Sequence, residues 1–96
     1  MKFEDLDKEG KEIASAIFRL AKPVDYADLE KRGILSKAGA WYRVLKPADL
    51  PEHVTCKMHE MAWDSKGMKV KFSGIRGAQR LAKKLENSGI SAPGDL

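Results

Sequence analysis

Apolar residues recur at spacings of three and four along the first part of the chain: Phe3, Leu6, Gly10, Ile13, Ile17 and Leu20, widened by Ala14, Phe18 and Ala21. That period predicts an amphipathic helix over residues 3 to about 21. Acids crowd its first turns, and Arg19 and Lys22 lie in its last, which suits the helix dipole. Pro23 ends it, because proline has no N–H to continue the ladder. Gly10 is its weak point, costing about 1 kcal/mol relative to alanine. With glycine in a core slot, the stripe suits packing on its own domain better than a coiled-coil seam.

Asp25 to Arg32 reads as a short second helix. Asp25 is placed to cap it, Asp28 stands at the capping-box position, and Gly33 followed by apolar Ile34 makes the C-cap. Residues 36–50 admit two readings. Ser36 could cap a third helix through Lys46, giving a helix-turn-helix. Alternatively Ala38-Gly39 is a turn and Trp41-Tyr42-Arg43-Val44-Leu45 a strand, which the aromatic and β-branched content favours. Residues 54–63 and 68–72 read as a β-hairpin around Asp64-Ser65-Lys66-Gly67. Pairing Trp63 with Met68 and Met61 with Val70 gathers Met61, Trp63, Met68, Val70 and Phe72 on a core face, with Lys69 and Lys71 on the other. Val54, Cys56 and Met58 have the opposite parity, so a bulge is needed near His59-Glu60. A last helix opens at Ser73 or Gly74 and runs to about Asn87, with Ile75, Ala78, Leu81, Ala82 and Leu85 inward and Gly89-Ile90 as its cap. The resulting expectation is an α+β fold: an N-terminal helix, a short second helix and a two- to three-stranded antiparallel sheet. A C-terminal helix completes it, and the N-terminal and C-terminal helices cover the sheet. A winged helix is the alternative.

The chain has 96 residues, 43% hydrophobic and 33% charged, which suits one globular domain over residues 1–90 with a flexible tail at 91–96. No apolar run approaches the ~20 residues that span a bilayer, and the acidic start is unlike a secretory signal. A single cysteine, Cys56, excludes an intrachain disulfide. These features point to a soluble protein of the reducing cytoplasm, without membrane partners.

Charge is unevenly placed. Residues 1–30 hold five basic and eight acidic residues, a net of −3, whereas residues 31–96 hold thirteen basic and six acidic, a net of +7. A basic half is the electrostatic footprint of a polyanionic partner. Arg76, Arg80, Lys83 and Lys84 fall within about 100° of one another on the last helix, opposite its apolar face. Lys69 and Lys71 extend the basic set on the hairpin, joined by Lys37 and Arg43. Such residues contact phosphates rather than read bases. Trp41 and Tyr42 are adjacent on a strand and so face opposite ways, which leaves one of them for stacking on bases.

Catalytic chemistry finds little support. His53, Cys56 and His59, read on a strand, cannot converge on one metal ion: the histidines lie ~20 Å apart at ~3.3 Å per residue, with Cys56 on the other face. Cys56 beside Val54 and Met58 reads as a small buried hydrophobe. No nucleophile elbow, Walker lysine loop or dinucleotide-binding glycine motif occurs. The chain is expected to be a binding protein, with no catalytic site, cofactor or metal.

The stretch Asp28-Leu29-Glu30-Lys31-Arg32-Gly33-Ile34-Leu35-Ser36-Lys37-Ala38-Gly39-Ala40-Trp41-Tyr42 resembles the C-terminal domain of bacterial RecA recombinases. There a short helix leads through a glycine and an isoleucine into an acidic-Lys-x-Gly-Ala-Trp-Tyr segment that starts a hairpin, and a helix with an alanine and leucine pattern follows. Gly77, Ala78, Leu81 and Leu85 could fill the latter role. Serine stands at Ser36 in place of the acid, residues 46–60 are inserted where the family has a tight hairpin, and the ATPase core is missing. The resemblance implies a stand-alone lobe that contacts duplex DNA. The expected function is therefore sequence-nonspecific nucleic-acid binding, DNA before RNA, in recombination, repair or phage DNA metabolism. The alternatives are a small protein-binding adaptor or inhibitor and a winged-helix regulator.

Overall fold

A computed structural model describes residues 1–94; residues 95 and 96 of the predicted tail lie outside it. Among the described residues the fold is α+β, with four α-helices and one four-stranded antiparallel sheet. The chain divides into two compact units, one built from Met1–Pro23 and Gly74–Leu96, the other from Val24–Ser73.

In the first unit, helix α1 spans Lys8–Ala21 and helix α4 spans Arg76–Asn87, following the numbering of helices along the chain. The apolar periodicity runs on to Phe3, but the helix does not. Asp7 adopts an extended backbone and its carboxylate accepts the Gly10 N–H at 2.7 Å, which starts α1 at Lys8. Phe3–Asp5 form a separate 3-10 turn. Gly10 suits this cap, since a Cβ there would lie 3.0 Å from Asp7 Oδ1. Ala14 and Phe18 of α1 are buried with Ala82 of α4 and Ile90, and Phe3, Leu6, Ile17 and Leu85 pack around them. The contact stripe is narrow: Ile13 and Leu81, expected inward, are 57% and 49% exposed. The two helices thus make a core of their own with each other. Gly89 takes φ +88° and donates to the Glu86 carbonyl at 2.9 Å, and Ile90 donates to Leu85 at 2.9 Å. These two bonds close the helix as the glycine-isoleucine pair predicts.

In the second unit, helix α2 (Tyr26–Lys31) begins at Asp25, whose carboxylate accepts the Asp28 N–H at 3.1 Å. It ends with Gly33 donating to Glu30 and Ile34 donating to Leu29. Strand β1 (Leu35–Ala38) turns through Gly39-Ala40 into β2 (Trp41–Val44). Gly39 has φ +63° at the first turn position and Ala40 has none, the signature of the turn that suits a two-residue hairpin. The helix-turn-helix alternative is thereby overturned. Residues 35–44 form a hairpin, with Leu35 and Val44 paired and buried on one face.

The short helix α3 (Glu52–Thr55) follows Pro51, so residues 54–57 are not strand as expected. Helical geometry turns Val54 into the core and leaves Cys56 exposed, its thiol donating to the His53 carbonyl at 3.3 Å. The expectation of a buried cysteine fails for that reason. Lys57 is instead the buried polar residue, 1% exposed, with Nζ donating to the His53 carbonyl. Strands β3 (Met58–Asp64) and β4 (Gly67–Phe72) form the expected hairpin, with Met61 opposite Val70, Trp63 opposite Met68, and an irregularity between Met58 and Glu60. The sheet order is β1-β2-β4-β3, one strand more than expected because Leu35–Ala38 also pairs.

Leu29 of α2 and Val54 of α3 cover one sheet face, burying Leu35, Val44 and Val70 together with Ile34. Tyr26, Tyr42 and Phe72 make an aromatic cluster on the same core. Met61 and Trp63 share this face by parity, yet they are 56% and 66% exposed. They lie on the edge strand, outside the cover of α2 and α3, so their predicted core placement is corrected.

Candidate nucleic-acid interface

The sheet sorts its basic residues by strand parity. Trp41 and Arg43 on β2 share a face with Lys69 and Lys71 on β4 and with Glu60, Ala62 and Asp64 on β3. Each cation on this face already has a partner. Arg43 donates to Asp64 through both terminal guanidinium nitrogens, at 2.9 and 2.8 Å, and to the Gly67 carbonyl at 3.3 Å. The Arg43 guanidinium, helped by the Lys66 N–H, holds the Asp64 carboxyl well below the usual carboxylate range, and Asp64 in turn raises Arg43. Lys71 pairs with Glu60 at 3.7 Å. Lys69 and Lys71 also place their Nζ atoms 5.1 and 4.7 Å from the centre of the Trp41 ring.

Of the two candidate stacking residues, Tyr42 faces the core. Its ring stacks on Tyr26 at 5.2 Å and receives the Nζ of Lys37 at 4.5 Å. Burial, followed by the neighbouring Tyr42, pushes the Tyr26 hydroxyl pKa upward. Tyr42 is therefore a packing residue, and Lys37 lies over it on the opposite sheet face from Lys69 and Lys71. Arg43 likewise ties the sheet together, its guanidinium committed to Asp64. Trp41 lies on the other face of the sheet, beside Lys69 and Lys71.

The helix α4 presents a different arrangement. Arg76, Arg80, Lys83 and Lys84 are all exposed, and among the described residues no ion pair or hydrogen bond involves their side chains. At ~100° per residue they occupy one side of the helix, away from Ala78, Ala82 and Leu85. No side chain caps the first turn, where Arg76 sits. Lys83 also borders an open groove of about 520 Å³ lined by Phe18, Ala21, Ala82 and Pro93.

The α4 cations therefore form one patch in the first unit, and Trp41, Arg43, Lys69 and Lys71 a second in the other. Sequence periodicity located both patches but not the carboxylates, Glu60 and Asp64, that offset the second. Cross-strand register was the available signal: Glu60 pairs with Lys71, and Asp64 closes the turn beside Gly67. Among the described residues, no cluster of three or more histidine, cysteine or acidic side chains is disposed to hold a metal ion. Among them, too, no helix is long and apolar enough to cross a membrane. Comparison with protein-family models, curated proteins and solved structures finds no match.

Proposed function

We propose that this chain binds nucleic acid, duplex DNA before RNA, through phosphate contacts made by α4 without reading sequence. The observation that carries the reading is the uncompensated basic side of that helix. Arg76 and Arg80, and Arg80 and Lys84, are like-charged pairs four residues apart, each costing a helix about 0.2–0.5 kcal/mol. A local cost of this kind without a compensating carboxylate is expected where function needs the charge. Support also comes from residues 28–42, which run from within α2 through β1 and the turn into the first two residues of β2 and resemble the DNA-contacting lobe of recombinases. On that resemblance the setting is recombination, repair or phage DNA metabolism. The sheet patch adds little charge, because Glu60 and Asp64 offset Lys71 and Arg43.

A titration of duplex DNA against salt tests this. Four phosphate contacts predict a log–log slope of about −3.6, at ~−0.9 per phosphate. Arg80→Glu with Lys83→Glu should weaken binding to every sequence alike. Thermal stability should hold or rise, since Arg80→Glu turns both like-charge spacings into opposite-charge ones. A chain with no measurable DNA affinity at low salt, or binding indifferent to the double reversal, would overturn the reading.

A further inference from the structure

The two edges of the sheet are not alike. The β1 edge carries Lys37, a charge of the kind that discourages a further strand. The β3 edge, from Glu60 to Asp64, carries no lysine and no proline; its two acids are paired with Lys71 and Arg43, and it exposes Met61 and Trp63. Its backbone polarity follows from the hairpin. Asp64 and Gly67 close a two-residue turn and are a hydrogen-bonded pair, so pairing alternates back along the strand. Ala62 and Glu60 then direct their main-chain N–H and C=O groups towards β4. Met61 and Trp63 direct theirs outward, away from the sheet. The same alternation places Val70 amide groups towards β2, in agreement with the pairing of Tyr42 and Val70.

We infer that β3 is a self-association edge: two copies of this chain pair β3 with β3 antiparallel about a symmetry axis at Ala62. In that register Met61 of one copy lies opposite Trp63 of the other, and both residues have outward backbone groups. The two Met61–Trp63 pairs each exchange two main-chain hydrogen bonds, and each brings a thioether against an indole. Ala62 meets Ala62 across the axis in a close, non-hydrogen-bonded pair, where a small side chain fits. A register one residue earlier, centred on Met61, would set Trp63 against His59, which lies in the bulged stretch between Met58 and Glu60 and cannot continue a regular ladder. Charge does not oppose the chosen register. Glu60 would face Asp64 of the other copy, but each carboxylate is already held by a cation of its own sheet, Lys71 and Arg43. An extended backbone edge flanked by two exposed apolar side chains calls for another strand with the same alternation, and β3 itself supplies one.

Sedimentation equilibrium on the full chain, from micromolar to submillimolar concentration, reads the association directly. The expected result is a dimer fraction that rises with concentration. Trp63→Lys and, separately, Met61→Lys should abolish it while leaving the far-ultraviolet dichroism unchanged. Should one substitution disturb folding, the other still decides. A register-specific arm uses Ala62→Cys in a Cys56→Ser background. Non-hydrogen-bonded partners lie about 4.5 Å apart at Cα, within disulfide range, so mild oxidation should give a covalent dimer. A wild-type chain that remains monomeric throughout overturns the inference. So does a dimer that survives both lysine substitutions, or one in which Ala62→Cys fails to cross-link.

Discussion

Leu35 and Trp63 both point to the inner side of the sheet by strand parity, yet their surroundings differ. Leu35 is 1% exposed beneath α2, and Trp63 is 66% exposed on the edge. Leu35→Ala should cost about 3 kcal/mol, within the range for a large-to-small change in a packed core. Trp63→Ala should cost under ~1 kcal/mol, as for a surface residue away from core contacts. Chemical denaturation at a dilution that keeps the chain monomeric separates the two, and equal losses would contradict the edge position of Trp63. Glycines make a second contrast. A methyl group at Gly77, in the first turn of α4, meets nothing within 4 Å, so Gly77→Ala should stabilise by up to ~1 kcal/mol through helix propensity. Gly89 sits at φ +88°, and an added Cβ would lie 2.9 Å from the Met1 carbonyl oxygen. Gly89→Ala should therefore cost about 1–2 kcal/mol for the left-handed backbone alone. Paired melting curves should show midpoints moving in opposite directions.

At the level of elements, the Arg43–Asp64 bridge joins β2 to the far end of the β3–β4 hairpin, across the intervening strand. Its contribution depends on the ionised carboxylate. The folded-state pKa of Asp64 lies below its unfolded value near ~4, so the stabilisation is present above that unfolded value and is lost as pH falls through the folded one. Asp64→Asn should lower the melting temperature at neutral pH, and the gap from the wild type should shrink steadily as the solution is acidified below pH ~4. A constant gap across that range would assign the loss to something other than the bridge. The elements most legible in the sequence were those set by local chemistry. Asp25 and Gly33 bound α2, Gly89 ends α4, and the spacing of Trp63 and Met68 around the turn fixes the hairpin register. Those that eluded it depend on tertiary surroundings. Val54-Thr55-Cys56 has strand-like composition, but Pro51 starts a helical turn there, and that turn carries Lys57 inward. Likewise the alternation of Met61 and Trp63 marks a sheet face without telling whether any helix covers it.

Across the whole molecule, basic residues sort into compensated and uncompensated sets. Those of the sheet meet Glu60, Asp64 or an aromatic ring, whereas those of α4 meet none of these among the described residues. The helical stripe was readable because side chains three and four residues apart share a helix face. The neutralising sheet acids follow from cross-strand register instead, which places Glu60 opposite Lys71 and Asp64 opposite Gly67. The two units differ in the same respect. Val24–Ser73 is continuous, whereas the α1–α4 pair is assembled from segments on either side of it. Synthesis on the ribosome is vectorial, so α1 emerges more than fifty residues before α4. During that interval the stripe of Ala14, Ile17 and Phe18 has no α4 to pack against, while the sheet unit has all of its own strands as soon as Phe72 appears. The nascent chain should accordingly order its middle before its beginning, and α1 is the segment on which a chaperone would find exposed apolar surface until translation reaches Asn87.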